Sequence, residues 1–318
     1  MNEFQLIQAF FKSHARARAD VLCGIGDDAA CLSVPVGHHL LVSCDTLVSG
    51  VHFLPTWDAY DIASKAVMVN ISDMAAMGAE PAWALLALTM PALDSTWLTR
   101  FAEGLHQALS RFNVALVGGD TTRGPLCMTL TMQGFVPEGQ AVMRHGAQIG
   151  DIIYVSGSLG AAAMALASLT RYELPDNDRD ILMQHLHCPT PRVDLSWILQ
   201  TYAHAAIDVS DGLMADLQHV CDASGVGACV DLQKIPIHAL VQRHDPMHAL
   251  DHALYGGDDY EICFTVPPAK DAAFRQHLAQ HDVPPCYAIG HMEATRGLRA
   301  KTRTGEIVPC QVKGYQHF

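Results

Sequence analysis

Several features that would assign a function or a location directly are missing from the sequence. No apolar run reaches the roughly 18 residues that a membrane-spanning helix requires. The first 20 residues have no apolar segment ahead of a small-residue cleavage site, and they predict an amphipathic helix rather than a signal peptide. The ten cysteines form no C-x-x-C pair, which argues against a zinc ribbon and a disulfide framework. We therefore expect a protein of the reducing cytoplasm without a membrane partner.

Basic residues are scarce. Lys and Arg number 20 against 33 Asp and Glu, only six of the 20 are Lys, and the net charge is −13. This balance argues against nucleic acid as a partner, because binding its backbone needs a basic surface. A protein with so few lysines would need metal ions to handle phosphate groups. The chain also contains no G-x-x-x-x-G-K-[ST] phosphate loop, no G-x-G-x-x-G dinucleotide motif and no G-x-S-x-G nucleophile motif.

Predicted strands and helices alternate along the chain. Half of the residues are apolar and 17% are charged, which supplies a packed core, and 318 residues suggest two domains. We predict two α/β domains, residues 1–138 and 150–318, with the boundary in a polar stretch at 138–150. The first domain has predicted strands at 39–45, 83–90, 114–117 and 126–136 and helices at 59–78 and 95–112. The second has predicted strands at 152–155, 205–209, 228–232, 260–266 and 287–289 and helices at 160–169, 211–223 and 269–280.

Acidic residues occur in six short segments beside Gly, Ser or Thr, and several segments follow an apolar run. Carboxylates that share a site repel each other and need cations, and oxygen ligands without His or Cys favour Mg²⁺, which commonly also binds substrate phosphates. Each Asp taken alone is equally well explained as a helix cap or a turn residue, and Asp211 could cap the helix that begins at Gly212. The acidic residues are Asp27, Asp28, Asp45, Asp73, Asp120, Asp208, Asp211, Asp258, Asp259 and Glu261.

Glycine, histidine and arginine accompany these acidic segments. Glycine pairs precede Asp120 and Asp258 and would let the backbone approach a ligand closely. His52 is a candidate substrate contact, although a single histidine is more often structural. Arg123 and Arg144 could contact phosphate oxygens, or they could be surface charges or partners of the acidic residues. Four further histidines on polar sequence predict a solvated surface: His238, His244, His248 and His252.

In order and spacing, seven motifs resemble those of the thiamine-monophosphate kinase family, and the resemblance runs from about Phe4 to Phe318. The motifs are G-I-G-D-D-A-A, D-T-L-V-S-G-V-H-F, M-V-N-I-S-D-M-A-A-M-G-A-E-P, G-G-D-T-T-R-G, I-D-V-S-D-G-L, G-G-D-D-Y-E and the closing K-G-Y-Q-H-F. The resemblance implies a two-domain α/β (α+β) fold like that of aminoimidazole ribonucleotide synthetase. It also implies a homodimer, in which the N-terminal α/β domain and its twin build a β-barrel.

The resemblance further implies the reaction. The family transfers the γ-phosphoryl group of ATP directly to thiamine monophosphate and so makes thiamine diphosphate, the last step of its biosynthesis. It uses several Mg²⁺ ions and forms no phosphoenzyme. The acceptor is a phosphate that is ionised at neutral pH, so a strong general base is unnecessary and the difficulty is to bring two anions together. A composition rich in carboxylates and poor in lysine fits that task.

Matched to the family's motifs, the site residues fall into four overlapping sets. The implied Mg²⁺ ligands are Asp28, Ser43, Cys44, Asp45, Asp73, Asp120, Asp208 and Asp211. The implied nucleotide contacts are Gly119, Asp120, Arg144 and Ser210. The implied contacts to the thiamine phosphate are His52, Asp258 and Val312. The catalytic contribution is expected from Asp45, Asp120 and Asp211.

Three positions depart from the family's pattern. Cys44 stands where Thr is usual, and nothing is lost if the ligand there is the backbone carbonyl. Asp258 replaces a Glu and is one methylene shorter, which affects its reach to the substrate. Val312 stands where a relative has a Trp that could stack on the thiamine rings, and Tyr315 could substitute in part.

Two other functions compete with the kinase. An ATP-dependent synthetase of the same superfamily would act on another phosphorylated heterocycle, but the motifs along the whole chain and the C-terminal motif favour the kinase. A protein that only binds nucleotide or thiamine phosphate would not need a full set of metal-binding aspartates, and the intact set argues against it.

Overall fold

The computed structural model describes residues 3–310 and 312–315. The chain forms two compact units, one made of Met1–Met74 and Ala79–Gly139 and the other of Ala75–Gly78 and Gln140–Phe318. Each unit has its own sheet and its own buried residues. Among the described residues, no helix combines the length and the apolar character needed to cross a membrane.

The first unit is built on a four-stranded sheet. Its elements are α1 (Glu3–Leu6), a π-helical turn (Ile7–Phe11), a 3₁₀ turn (Lys12–His14), β1 (Val21–Cys23), β2 (Cys31–Leu32), β3 (His38–Val48), α2 (Ala59–Ala76), β4 (Glu80–Met90), α3 (Ser95–Arg111), β5 (Ala115–Arg123) and β6 (Cys127–Pro137). The strand order is β3-β6-β4-β5, in which β4 and β5 are parallel and the other neighbours antiparallel. Strands β1 and β2 form a separate short hairpin.

Helix α2 is buried along most of its length. Every residue from 62 to 72 is buried, which is typical of a helix surrounded by protein on all sides. Its side chains contact β3, and Met74 lies beside Gly134 of β6. The chain turns after the helix at Gly78, where φ is +73° and glycine is favoured because it has no Cβ. The helix therefore presents its polar residues directly to the sheet.

Strands β3 and β6 pair without a register shift over their whole length. Successive side chains of β3 point to opposite faces of the sheet, as in any strand. Leu41 and Leu47 are buried, whereas Leu40 and Val42 are exposed. Elsewhere in this unit, the rings of Trp83 and Phe135 pack edge-on with their centroids 4.9 Å apart. They belong to an apolar cluster that includes residues of the β1–β2 hairpin. One face of β3 is thus buried and its other face is open in the single chain.

The second unit is built on a seven-stranded sheet. Its elements are β7 (Ile152–Ser156), α4 (Ala161–Ser168), α5 (Asp176–His187), a 3₁₀ turn (Val193–Leu195), α6 (Ser196–Tyr202), β8 (Ala205–Asp208), α7 (Leu213–Ser224), β9 (Gly227–Asp231), a 3₁₀ turn (Leu232–Lys234), α8 (Ala239–His244), α9 (Ala249–Tyr255), β10 (Ile262–Val266), α10 (Pro268–Gln280), β11 (Cys286–Glu293), β12 (Gly297–Lys301) and β13 (Ile307–Pro309). The strand order is β13-β12-β9-β11-β7-β10-β8, with β9 and β12 parallel and the other neighbours antiparallel.

Apolar clusters cover both faces of this sheet. On one face, Val155 of β7 packs in a cluster with Leu217 of α7. On the other, Tyr154 packs with Phe264 and Phe274, and the rings of Tyr154 and Phe274 meet edge-on at 4.8 Å. Neighbouring residues of β7 thus contribute to opposite clusters, as the period of a strand requires. This buried sheet fixes the end of β8, where one acidic loop begins, and the start of β10, where the other acidic loop ends.

Several elements of the second unit were not predicted from the sequence. These are α5, α6, α8, α9, β12 and β13. Both strands and three of these helices, α6, α8 and α9, are short, with seven residues or fewer, so they give too few turns or alternations for a local pattern to reveal them. These elements are stabilised by packing against the rest of the unit rather than by a pattern in their own sequence.

The prediction of a solvated surface at His238, His244, His248 and His252 is confirmed for His248, which is exposed, and is wrong for the other three, which are partly buried. These residues lie at or within α8 and α9, and three of them bond to carboxylates. His244 contacts Asp178 at 2.7 Å, and His248 and His252 contact Asp245 at 2.9 and 3.2 Å. Asp245 is buried, so its carboxylate needs these partners. His248 and His252 therefore help to hold a buried acid in place.

Candidate functional site

Strand β3 and helix α2 bring together three of the predicted metal ligands. Ser43 and Asp45 are alternate residues of β3, and Asn70 and Asp73 lie one turn apart on α2. The hydroxyl of Ser43 donates a hydrogen bond to a carboxylate oxygen of Asp73. The backbone N–H of Asp45 donates to Oδ1 of Asn70 at 3.2 Å. We name Ser43, Asp45 and Asp73 the first carboxylate group.

The first carboxylate group is strained electrostatically. Burial, and then the negative charge of Asp73, raise the pKa of Asp45 to about 6. The side chain is thus held where its ionised form is disfavoured, which is the condition that a cation relieves. All donors of the group are oxygen atoms, and hard oxygen donors suit Mg²⁺. The group therefore fits the ion that the sequence predicts.

Cys44 faces away from this group. Its thiol accepts a hydrogen bond from the hydroxyl of Thr131 at 3.5 Å, and Thr131 is its direct partner on β6. Because neighbouring residues of a strand point to opposite sides, the Cys44 thiol cannot join Ser43 and Asp45. The departure from Thr at this position therefore leaves only the backbone carbonyl as a donor toward the group.

Asp28 and Asp120 lie elsewhere in the first unit. Asp120 is an exposed residue of β5, and strands β6 and β4 separate β5 from β3 in the sheet. Its Oδ1 accepts the backbone N–H of Thr121 at 2.9 Å. Asp28 is exposed in the loop between β1 and β2, where its N–H donates to Asp27 at 2.9 Å. Asp120 and Asp45 thus lie on opposite edge strands of the sheet. With this strand order, a single ion would not bind both side chains.

Gly119 has a structural reason to be glycine. Its φ is +147°, and a Cβ at this position would lie 1.8 Å from the carbonyl oxygen of Leu86 on β4. No side chain can be accommodated without separating the parallel strands β4 and β5. The close backbone approach at Gly119 in the structure is to the neighbouring strand, and an approach to a ligand stays a prediction.

His52 and two arginines were candidates for contacts to substrate or phosphate. Nδ1 of His52 accepts the backbone N–H of Val48 at 3.0 Å, so the proton of the neutral ring is on Nε2. Nε of Arg123 donates to the carbonyl oxygen of Pro91 at 3.2 Å. Arg144 is exposed in the segment that follows β6. His52 is thus fixed in orientation by the turn after β3, and Arg144 is accessible to a ligand.

The second unit brings four predicted residues together where β8 ends and β10 begins. Asp208 is the last residue of β8 and pairs with Ile262 of β10. The backbone N–H of Asp258 donates to the carbonyl oxygen of Ser210 at 2.8 Å, and Asp211 follows Ser210 directly. Asp258 has a φ of +70°, in the left-handed region, so the chain turns sharply there. We name Asp208, Asp211 and Asp258 the second carboxylate group.

The other two acidic residues of the G-G-D-D-Y-E segment are structural. Asp259 accepts the backbone N–H of Gly160 at 2.8 Å, at the start of helix α4. Glu261 forms a two-pronged ion pair with Arg192 and accepts the hydroxyl of Ser156 at 2.5 Å. Burial, opposed by the bond from Gly160, raises the pKa of Asp259 well above its usual value. Only Asp258 of this segment therefore belongs to the second carboxylate group.

Asp216 is a residue of the site that the sequence reasoning missed. One of its carboxylate oxygens accepts three backbone N–H groups, from Ser210, Asp211 and Gly212, at 3.0, 3.1 and 3.1 Å. Burial, and then the negative charge of Asp211, raise the pKa of Asp216 to about 7. Gly212 occupies the N-cap position of α7, so the alternative of Asp211 as that cap is wrong. A sequence signal existed, namely an Asp in the first turn of the helix after S-D-G.

The C-terminal segment passes over this second group. The backbone N–H of Tyr315 donates to the carbonyl oxygen of Asp211 at 3.2 Å. Gly314 lies against Ala215, and a Cβ on it would come within 2.5 Å of the Ala215 Cβ. Val312 is half exposed, three residues before Tyr315. The end of the K-G-Y-Q-H-F motif, residues 316–318, lies outside the described residues.

Two family models match the chain. The model for the N-terminal domain of AIR synthase related proteins matches residues 26–136, and the model for their C-terminal domain matches residues 148–303. These matches and the two units of helices and strands confirm the predicted mixed α/β class with two domains of this type. Within the described part of the single chain, neither sheet closes into a barrel. The class of protein is therefore that of the AIR synthase related proteins.

Known relatives narrow this class. The chain is 47% identical over 319 residues to thiamine-monophosphate kinase of Escherichia coli K12, which covers 99% of this chain and 98% of the relative. The crystal structure of thiamine-monophosphate kinase from Stenotrophomonas maltophilia K279a has a TM-score of 0.87 at 42% identity, over 96% of this chain and 98% of that one. AaThiL complexed with AMPPCP and TMP has a TM-score of 0.78 at 30% identity, over 99% and 97%. The chain belongs to the thiamine-monophosphate kinase family.

Proposed function

We propose that this chain phosphorylates thiamine monophosphate to thiamine diphosphate by direct in-line transfer of the γ-phosphoryl group of ATP. Membership of the family supports the reaction, and the relative that is complexed with AMPPCP and TMP supports the two substrates. The observation on this chain that carries the proposal is the first carboxylate group. Asp45, whose pKa is raised by burial and by the charge of Asp73, is suited to bind a cation that in turn binds phosphates.

Several Mg²⁺ ions fit the arrangement better than one. The first carboxylate group, the Asp28 and Asp120 positions and the second carboxylate group lie on different elements. The residues that would hold Mg²⁺ are Asp28, Ser43, Asp45, Asp73, Asp120, Asp208 and Asp211, with the backbone carbonyl of Cys44. When bound, Mg²⁺ offsets the charge of the phosphates and of the carboxylates together. The acidic chain thereby accommodates two anionic substrates.

The substrate contacts follow from what the side chains offer. Arg144 is exposed and can place its guanidinium group against nucleotide phosphates, and Ser210 offers a hydroxyl beside the second carboxylate group. Nε2 of His52 carries the proton of the neutral ring and can donate to the thiamine phosphate. Asp258 and Val312 lie on the second unit, where the tail beside Asp211 offers Tyr315 as an aromatic surface for the thiamine rings.

The chain's own residues need not supply a general base. The attacking oxygen belongs to a phosphate that is already ionised at neutral pH, so no proton must be removed from it. The residues must instead orient both phosphates and offset the repulsion between them. We assign this role to Asp45, Asp120 and Asp211 as the catalytic aspartates. No side chain needs to accept the phosphoryl group, which agrees with direct transfer.

We also propose a homodimer. Strand β3 is an edge strand, and its open face exposes Leu40 and Val42 with relative exposures of 46% and 58%. An apolar edge strand is an association surface unless another element covers it. A second copy that pairs there would extend both sheets, as the dimeric β-barrel expected from the family requires. The domain limits 1–138 and 150–318 and the cytoplasmic location stay predictions.

Product analysis tests the proposed reaction. Purified protein is mixed with ATP, Mg²⁺ and thiamine monophosphate, and free thiamine is offered in a parallel reaction. We expect thiamine diphosphate and ADP in equal amounts from the monophosphate and no product from thiamine. If ATP binds with Mg²⁺ but no thiamine diphosphate forms, the assignment fails and another phosphorylated heterocycle becomes the substrate to seek.

A further inference from the structure

Three potential metal ligands lie side by side on the sheet of the second unit. Cys229 of β9 and His291 of β11 are direct partners across the antiparallel strand pair, and Glu293 follows two residues after His291. Strand periodicity puts these side chains on the same face. One ligand atom from each of the three lies within 4.8 Å of the other two. Cys229 is buried and His291 is exposed, so the cluster is open to solvent on one side.

This arrangement suits a four-coordinate ion. Two donors at positions i and i+2 of one strand, with a third directly across on the neighbouring strand, leave a fourth position open on the outside. Tetrahedral bonds of about 2.0–2.3 Å bring ligand atoms to within about 3.3–3.8 Å of one another. Small side-chain rotations close the remaining difference, because the backbone positions are fixed by the strand pairing. The scaffold is therefore rigid where a metal site needs it to be.

A neighbouring arginine orients the carboxylate. Arg299 of β12 is the strand partner of Cys229 and forms a two-pronged ion pair with Glu293. Partners of this kind fix the ligating side chain in many metal sites. Glu293 can keep one oxygen on Arg299 and turn the other toward an ion. The thiolate of Cys229 and the carboxylate of Glu293 bring two negative charges to the ion, one of which is shared with Arg299.

We propose that Cys229, His291 and Glu293 bind a divalent ion of the Zn²⁺ type, separately from the Mg²⁺ ligands of the two carboxylate groups. Sulfur and imidazole donors favour Zn²⁺ over Mg²⁺. On binding, the S–H bond of Cys229 breaks, a metal–sulfur bond forms and the proton passes to solvent. Burial, and then the charge of Glu293, raise the pKa of the Cys229 thiol, so affinity increases with pH. The ion would tie β9 to β11.

Titration with Co²⁺ tests the site in the full chain, with excess Mg²⁺ present to occupy oxygen-only sites. We expect a sulfur-to-cobalt charge-transfer band that saturates at one ion per chain and is lost when Zn²⁺ is added. Cys229→Ser should abolish the band, and His291→Ala should weaken Co²⁺ binding at least about tenfold. Cys127→Ser, which removes a strand thiol outside the cluster, is the matched control and should leave the band unchanged.

The exposed position of His291 keeps the test decisive if Cys229→Ser folds poorly, since replacing an exposed side chain leaves the core intact. Thermal unfolding without metal checks the fold of each variant. At the same Zn²⁺ concentration, the rise in melting temperature should be equal in the wild type and Cys127→Ser and smaller in His291→Ala. A band that survives in folded Cys229→Ser, unchanged Co²⁺ affinity in His291→Ala, or no band at all at saturating Co²⁺ would each overturn the proposal.

Discussion

Asp73→Asn is expected to lower kcat/KM at least about 100-fold and to make the rise in melting temperature on addition of Mg²⁺ smaller than in the wild type. The substitution takes away one charged oxygen of the first carboxylate group, which its neighbour Asp45 cannot replace. The Asn oxygen can still accept the hydrogen bond from Ser43, so the packing of α2 against β3 is kept. The loss should therefore appear in metal binding and turnover rather than in folding.

The metal-free variant should be at least as stable as the metal-free wild type at pH 7. The raised pKa of Asp45 means that its ionised form is less favourable in the folded than in the unfolded chain. This destabilisation is absent below the ordinary pKa of about 4, develops as pH rises and is complete above about pH 6. Asp73→Asn removes the part of this destabilisation that comes from repulsion between Asp45 and Asp73, and it leaves the part that comes from burial of Asp45. Mg²⁺ binding to the wild type should weaken below pH 6, where Asp45 becomes protonated.

Thermal unfolding between pH 5 and 8, with and without Mg²⁺, measures these effects. Asp61→Asn is the matched control, because Asp61 lies in the first turn of the same helix and outside the carboxylate group. It should keep both the response to Mg²⁺ and the turnover. If Asp73→Asn responds to Mg²⁺ as the wild type does, the first carboxylate group does not hold the ion.

Asp216→Ala is expected to lower the free energy of unfolding by about 2–4 kcal/mol and kcat/KM by about 10–100-fold. Three backbone N–H groups, from residues 210 to 212, lose their common acceptor. These groups set the path of the chain through Ser210 and Asp211, so their release displaces one edge of the second carboxylate group. Asp216→Asn keeps an acceptor oxygen and should cost about 1 kcal/mol at pH 5, where Asp216 of the wild type is protonated.

The pH dependence separates this account from a general loss of packing. With a pKa of about 7 in the folded chain, Asp216 contributes most to stability at low pH, and that contribution declines as pH rises from about 4 through 7. Asp216→Asn should remove this decline, as urea unfolding in metal-free buffer from pH 5 to 9 would show. Asp222→Ala, on the same helix but exposed near its end, is the control. Equal pH profiles for Asp216→Asn and the wild type would contradict the role of Asp216.

Much of the first unit could be predicted from local sequence pattern. The end of helix α2 is marked in the sequence by Gly78 and Pro81, and the alternation along β3 is what separates Cys44 from Ser43 and Asp45. The pairing of Asp73 with Ser43 follows once α2 is placed on the sheet. The position of Asp120 could not be predicted in the same way, because it depends on the strand order β3-β6-β4-β5, which no local pattern encodes.

In the second unit, the residues that were misjudged are those whose partners are distant in sequence. Asp259 and Glu261 look like members of the acidic site, yet their partners are Gly160 and Arg192, about 100 and 70 residues earlier. His244 likewise bonds Asp178, 66 residues earlier, so its contact depends on tertiary packing. The polar sequence around it predicted an exposed side chain, but in the structure the side chain contacts a carboxylate.

The stereochemical course at the transferred phosphorus tests the central claim most directly. ATP made chiral at the γ-phosphorus with oxygen isotopes is incubated with the protein, Mg²⁺ and thiamine monophosphate, and the configuration of the terminal phosphate of thiamine diphosphate is determined. A single in-line transfer between two phosphates, oriented by carboxylate-bound ions, predicts inversion. Retention would show two successive transfers through a phosphorylated side chain, and it would contradict an account in which the chain only binds and orients its substrates.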